Sequence, residues 1–433
     1  MANRPSASTT EVQPPEEISI APLLKRIAYP HHSQIDCTAS EIASAFALIF
    51  ENRVSQVQFA AFLTLLHSTR LDKDPDVLSQ CAQRMREAAS QVDELELREA
   101  MKRRARKSGT YKGGFCDIVG TGGDSHSTFN ISTTSSIISS AFLTVAKHGN
   151  RAQTSLSGSA DVLNAIVPTS PNISAVNANN LHRVFADTNY SFLFAPNFHP
   201  GMKYAAPLRR GLGIRTIFNL LGPLANPVDW AIEARLVGVA YQELGPLFAS
   251  ALKLSGSKKA LIVCGEEDLD EISCAGRTNC WMLREVKNPD SKGASDVEDG
   301  EDETSDEDSP PRTICEVETF SLHPNDFGLP THPLSEVHGG RLPEENAKML
   351  MKILRNELPE DDPILHFVLL NTAAFLAISG ICEADTCETG EVVKERGPGG
   401  MRWKEGLRRA RWCITSGKAL EQLEKFIEVS QKI

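Results

Sequence analysis

The 433-residue chain has ten cysteines but no CxxC pair. They scatter from Cys37 to Cys413, and the closest two, Cys382 and Cys387, have no second pair to complete a metal set. That excludes a zinc ribbon and a disulfide framework, and it fits reduced, mostly buried thiols in a reducing compartment. No apolar run approaches the roughly 18 residues of a membrane helix. The opening MANRPSASTTEVQPPEE has no apolar core, so it does not read as a secretory signal. The expected location is the cytoplasm, with no membrane partner.

A basic excess is also lacking. Formal net charge is −11, and ten acids against one lysine lie between Asp290 and Asp308. That stretch carries nine of the eleven negative charges, so the rest of the chain is nearly neutral. Nothing in that balance holds nucleic acid. An anionic substrate must be held by local groups.

What is present is ordinary globular composition, 41% hydrophobic and 23% charged, over a length that predicts two or three domains. Residues 1–17 are polar and Pro-rich and read as a disordered tail. Helical patterning follows. Thr38-x-x-Glu41 is a capping-box signature before Ile42, Phe46 and Ile49. Ser55-x-x-Gln58 opens a stretch through Phe62 and Leu66, and Asp74-Pro75 is a cap with proline at the first helical position. A small all-helical domain is expected over 18–112, completed by helices near 200–225.

From 113 the pattern alternates. Strands are expected at Phe115 to Val119, Thr144 to Ala146, Ser191 to Phe194, Arg235 to Val239 and Ala260 to Cys264. The fold class is therefore α/β, a mostly parallel central sheet flanked by helices, over 113–433. Two insertions are expected in it. One is the acidic segment 288–311, read as a solvated disordered loop between short strands. The other is a surface segment at 383–402 with its Gly397-Pro398-Gly399-Gly400 breaker.

Five motifs could carry chemistry. The run from Cys116 to Asp124 passes from a strand into Gly120-Thr121-Gly122-Gly123-Asp124, and Asn130-Ile131-Ser132-Thr133 then opens a helix. Glycines allow backbone to approach phosphate oxygens, and a helix N-terminus adds N–H donors. Lys147-His148-Gly149-Asn150-Arg151 puts polar groups at a strand's C-terminal end, where open α/β sheets bind ligands. Ser157-Gly158-Ser159-Ala160-Asp161 is a hydroxyl-bearing turn, which taken alone reads equally as a helix cap. Arg209, Arg210 and Arg215 fall within seven residues and suit a carboxylate or phosphate, or a solvated turn. Asp270 and Glu271 lie in an acidic loop after a strand, where hard oxygen ligands could hold Mg²⁺.

In this order the motifs resemble the anthranilate phosphoribosyltransferase family of the tryptophan pathway. FHPGMK, the R-x5-R-T-x-FN-x-LGPL-x-NP run, Leu369 to Ala374 and Ser416 to Ala419 extend the likeness over about residues 20–425, apart from the insertions. The resemblance implies transfer of the phosphoribosyl group of 5-phosphoribosyl 1-diphosphate (PRPP) to the anthranilate nitrogen, releasing pyrophosphate, with Mg²⁺ as cofactor. It implies PRPP contacts at Gly120, Gly123, Asp124, Thr128, Asn130, Ser132, Thr133, Lys147, Asn150 and Ser159. Gly120, Asn150 and Arg209 match anthranilate-binding positions, and Ser132, Asp270 and Glu271 match metal ligands. Lys147, His148 and Arg209 are the catalytic candidates, His148 by location only. A homodimer is implied by resemblance alone. The chain departs from the pattern in two places. Ser155-Leu156-Ser157 lacks the lysine common in the family there, and Gly201 stands where alanine is frequent. A pyrimidine nucleoside phosphorylase-like enzyme and a non-enzymatic nucleic-acid-binding relative are the rival readings on the same fold.

Overall fold

The computed structural model describes residues 15–29, 36–104, 106–152, 157–288, 313–338 and 342–433. The expected tail 1–17 and the acidic insertion 288–311 fall almost wholly outside these residues, as do Ser155 and Leu156.

Seven strands form one sheet in the order β3-β2-β1-β4-β5-β6-β7. They are β1 (Phe115–Gly120), β2 (Thr144–Gly149), β3 (Tyr190–Phe194), β4 (Ile232–Gly238), β5 (Ala260–Gly265), β6 (Thr278–Lys287) and β7 (Thr313–Leu322). The first five run parallel; β6 and β7 are antiparallel additions at one edge. The sequence reading found the five parallel strands but not the last two. Each of those is ten residues long, and they pair from Thr278↔Leu322 to Lys287↔Thr313. The acidic segment therefore joins the far ends of a long ribbon, not two short strands. The ribbon's outer half is exposed and carries charged residues, which removed the apolar run that would have marked it.

Alternation along the strands feeds two cores. Leu236, Leu261 and Val263 face one core, whereas Val237, Ile262 and Cys264 face the other. The second core joins the helices Ala21–Ala28, Ala39–Ala47, Gln56–Ser68 and Pro75–Glu87 to one face of the sheet. Ala205, Ile217, Phe218 and Leu221 also enter it. The Phe218 ring lies 5.0 Å from Phe46, so the segment near 200–225 packs into the helical bundle. The Thr38 capping box forms, and Asp74 caps its helix through Asp76 and Val77 N–H. Ser55 stands at its N-cap without a side-chain bond, and Gln58 instead accepts from Ile20 N–H at 2.7 Å. The helix Glu94–Arg104, assigned to the helical domain from sequence, buries Leu97 and Ala100 in the sheet's other core.

That other core is built on the helix Pro363–Ser379, whose residues from Ile364 onward are all buried. It is mostly apolar around its whole circumference, as befits a helix enclosed on every side. The helices Ile131–Ser139 and Trp403–Thr415 pack against it. The segment 383–402 is pinned to the fold from both ends, contrary to a simple surface insertion. Arg402 donates to the Cys382 and Ala384 carbonyls at 3.3 and 3.0 Å, and Trp403 Nε1 to Pro398 O at 2.9 Å. Glu405, fully buried, accepts from Val393 N–H, Arg408 and Arg409. All ten cysteines are free.

Removing one member of such a buried charge network leaves the others unpaired, at a cost of about 3–5 kcal/mol. Glu405→Ala is expected to lower Tm by about 5 °C or more in a thermal scan. A shift within 1 °C would show that the network does not hold this segment.

Candidate active site at the strand ends

β1, β2, β4 and β5 all end in glycine: Gly120, Gly149, Gly238 and Gly265. The chain proceeds from β1 outward to β3, then returns to place β4 on the other side of β1, so the sheet's topological switch lies between β1 and β4. Ligands of open α/β sheets bind outside the strand ends at such a switch. A cavity of ≈ 640 Å³ opens there.

Gly120 and Gly238 are register partners. A Cβ on Gly238 would lie 1.5 Å from the Asp270 carbonyl oxygen, and one on Gly120 would lie 2.4 Å from Asp270 Oδ2. The two bare positions form a slot that admits Asp270. The loop beyond β1 then turns through Gly122 (φ 64°) and Gly123 (φ 81°), left-handed conformations that favour glycine. Gly122 N–H donates to Asp270 Oδ2 at 2.8 Å, and Thr121 N–H to Gly238 O at 2.9 Å. Arg215 donates to Gly123 O at 2.7 Å. Two of the loop's amides are thus engaged within the protein, tying it to the carboxylate it faces.

Asp124, Asp270 and Glu271 bring one oxygen each to within 4.8 Å of one another. Burial is the main cause that raises all three above the usual carboxylate range, and the neighbouring carboxylates add to it for Asp124 and Glu271. Asp124 is pushed up to about 8. Three clustered oxygen donors with unrelieved like charge suit a hard divalent cation, so the residues present fit Mg²⁺. The sequence reading placed Asp124 against PRPP and missed it as the third carboxylate. Thr128 donates to Glu271 Oε2 at 3.2 Å.

Asn130 caps the helix Ile131–Ser139, its side chain accepting from Thr133 N–H. Lys147, 1% exposed, rises from β2 and donates to Ile118 O at 2.8 Å and to Ser132 Oγ at 3.3 Å. Burial lowers it to about 8, opposed by the charges of Asp117 and Glu271. Asp117, fully buried, was not singled out from sequence; Asn226 Nδ2 bonds it at 2.9 Å and the Ala146 carbonyl at the same distance.

The opposite wall comes from the second core. Arg209, on the helix Met202–Leu212, holds its guanidinium 5.2 Å from the Phe218 ring centre. Asn150 and Ser159 line the same cavity. Asp161 accepts from Gly158 and Ala152 N–H, so the turn before Ser159 is a helix cap and a cavity wall at once. His148 lines the cavity beside a second buried histidine, His199, with ring centres 5.2 Å apart. Burial depresses them to about 3 and about 4. Arg210 of the arginine motif does not border this cavity; every residue that the resemblance implied as a contact, metal ligand or catalytic candidate borders it except Thr133, which is fully buried behind it. Its position one step along the helix turns its side chain inward from the N-terminal face. Met85 and Asn346 also border it and carried no motif of their own, as does Asn371, which lies in the Leu369 to Ala374 segment but was not singled out.

Residues 22–89 match the model described as "Glycosyl transferase family, helical bundle domain", and 112–300 with 305–420 match "Glycosyl transferase family, a/b domain". The chain is 38% identical to the anthranilate phosphoribosyltransferase of Schizosaccharomyces pombe over 391 residues, 90% of this chain and 92% of that one. It is 34% identical to the one from Aquifex aeolicus over 403 residues, 92% of this chain and 95% of that one. Among solved structures, the Saccharomyces cerevisiae enzyme in complex with PRPP and Mg superposes with a TM-score of 0.73 at 28% identity, covering 96% of this chain and 99% of that chain. The Thermus thermophilus enzyme gives 0.68 at 28% identity over 94% and 99%. With two family models spanning most of its length and relatives matched nearly end to end, the chain belongs to the anthranilate phosphoribosyltransferase family.

Proposed function

We propose that this cavity transfers the phosphoribosyl group of PRPP to the amino nitrogen of anthranilate, with the residue roles that follow. The single observation that carries the reading is the three-carboxylate cluster seated beside a glycine loop and a buried lysine. It puts oxygen donors for a cation and a fixed positive charge for an anion in one cavity, as a magnesium pyrophosphate requires.

The amine nitrogen forms a bond to C1 of the ribose as the bond from C1 to pyrophosphate oxygen breaks. Pyrophosphate leaves with the electron pair, and one amine proton is released. Positive charge grows on the sugar and negative charge on the leaving group. Asp270, Glu271 and Asp124, with Ser132 beside them, are the residues that would hold Mg²⁺, which neutralises pyrophosphate charge when bound. Lys147 faces the same charge from a fixed, desolvated position, where electrostatic stabilisation is strongest. Gly120, Gly123, Thr128, Asn130 and Ser159 shape the PRPP wall. Arg209 and Asn150 receive the anthranilate carboxylate and ring. An aromatic amine is neutral at pH 7, so positioning, not a strong base, is the main requirement. His148 fits that view. Burial holds it uncharged and weakly basic, which suits a wall and not a proton acceptor.

The absence, among the described residues, of a helix long and apolar enough to cross a membrane, together with the free thiols, supports a cytoplasmic setting. A homodimer is the family expectation.

Loss of anthranilate fluorescence on adding protein, PRPP and Mg²⁺ tests the activity. Signal loss is expected with PRPP and Mg²⁺ together, and none with phosphate and a nucleoside; the reverse would favour the phosphorylase reading. In that assay Arg209→Ala should raise the anthranilate KM at least about tenfold, the worth of one charge-assisted hydrogen bond, with the PRPP KM little changed. Equal rises in both would remove the clamp.

The histidine pair generates a stability signature. Both imidazoles are neutral when folded, with values depressed below the usual 6.5. The unfolded chain takes up protons below about 6.5 that the folded chain refuses until about 4. The stability from neutral burial is therefore complete above pH 6.5 and lost as pH falls from 6.5 toward 4. Replacing His148 and His199 by Gln should make the decline of Tm between pH 6.5 and 4.5 shallower than in the unaltered protein. Parallel declines would mean that the pair does not titrate as buried neutral groups.

A further inference from the structure

Asn371 lies in the middle of the enclosed helix Pro363–Ser379, 1% exposed, yet it borders the cavity. An asparagine in that place would ordinarily be read as a ligand contact. Its amide is otherwise engaged. Nδ2 donates to Ile272 O and to Phe367 O, both at 3.1 Å, and Oδ1 accepts from Ile272 N–H at 3.0 Å. Both amide protons are committed to backbone carbonyls, so the group has no donor left for a substrate.

A single side chain thus holds the N–H and the C=O of the residue that follows Glu271. The peptide planes on both sides of Ile272 are fixed, and with them the direction in which the Glu271 backbone leaves the turn. The next amide is held as well: Ser273 N–H donates to Oγ1 of Thr278, fully buried at the start of β6, at 2.8 Å. From the opposite side the Gly120 and Gly238 slot receives Asp270. Asp270 and Glu271 are consecutive acids facing a third, and keeping all three oxygens within reach of one cation requires the ends of the turn to be held. We propose that Asn371 is a positioning residue for cation binding, clamping the Asp270–Glu271 turn through the backbone of Ile272 without touching a ligand, with Thr278 as the outer support. The inference rests on the reading of Asp270 and Glu271 as the cation ligands.

The test uses the full chain and Mn²⁺ alone, titrated by electron paramagnetic resonance, with backbone hydrogen exchange as a second readout. Asn371→Ser is expected to weaken Mn²⁺ binding at least about tenfold, the usual effect of removing a group that orients a metal ligand. Exchange at the Ile272 and Ser273 amides should speed up in the metal-free protein. The PRPP KM measured at saturating Mg²⁺ should stay within about twofold, because no donor to the substrate is lost. Unchanged Mn²⁺ affinity would overturn the proposal. So would a PRPP KM that rises as far as the Mn²⁺ constant, since that marks a direct contact. If Asn371→Ser does not fold, Thr278→Val carries the same test, with a weakening of about threefold expected and no change overturning it. Asp270→Asn with Glu271→Gln separates the layers. If that variant still binds Mn²⁺ normally, the cation reading itself fails and takes the positioning role with it. If only that variant loses Mn²⁺, the cation site stands and the clamp alone is wrong.

Discussion

Asp270 sits in a slot that exists because Gly120 and Gly238, side by side at the ends of β1 and β4, have no side chains. Much of the site follows from that approach. The Asp270 carboxylate accepts the Gly122 N–H and so sets the curve of the glycine loop. Glu271 is carried into place beside it, and Asp124 comes round the far end of the loop to join them. The same glycines therefore serve two ends, leaving the loop backbone bare of side chains and allowing the Asp270–Glu271 turn to sit directly on the strand ends. A methyl group at Gly238 would have to displace backbone, which no side-chain rotation can relieve.

The site's electrostatics come from charges withheld from water. Three acids crowd together and are driven toward protonation chiefly by burial, while Lys147 is itself buried and driven toward neutrality. Neither arrangement is comfortable alone. A divalent cation would relieve the acids, and an anion beside it would relieve the lysine, so the site suits the pair together. The helical bundle supports the opposite wall. Arg209 rests against Phe218, and Phe218 against Phe46 of the bundle, so the Arg209 wall is rooted in one core and the Ile131–Ser139 helix start in the other.

Much of this was legible in the sequence because strand-end motifs are local. The GTGGD loop, Lys147 through Arg151, and Asp270 with Glu271 each lie within a few residues of a strand's last position, and topology brings them together. The bundle's caps at Thr38 and Asp74 were equally local. What escaped detection depends on distant packing. Asn371 bonds a residue 99 positions away, and Asn226 reaches Asp117 across 109. The β6–β7 ribbon was hidden because half of it is solvated and its strands read as polar. The segment 383–402 reads from sequence as a surface insertion because its anchors, Arg402, Trp403 and Glu405, lie at the start of the next helix. Thr133 was drawn in by its motif, although the helix turns it into the core.

The most direct measurement is a crystal structure of the protein with PRPP and Mg²⁺. The diphosphate is expected on the Gly120–Asp124 loop and the Ile131–Ser139 helix start, with a cation about 2.1 Å from carboxylate oxygens of the Asp270–Glu271 turn. A diphosphate seated on the Arg209 side, or a cation bound away from these carboxylates, would contradict that expectation.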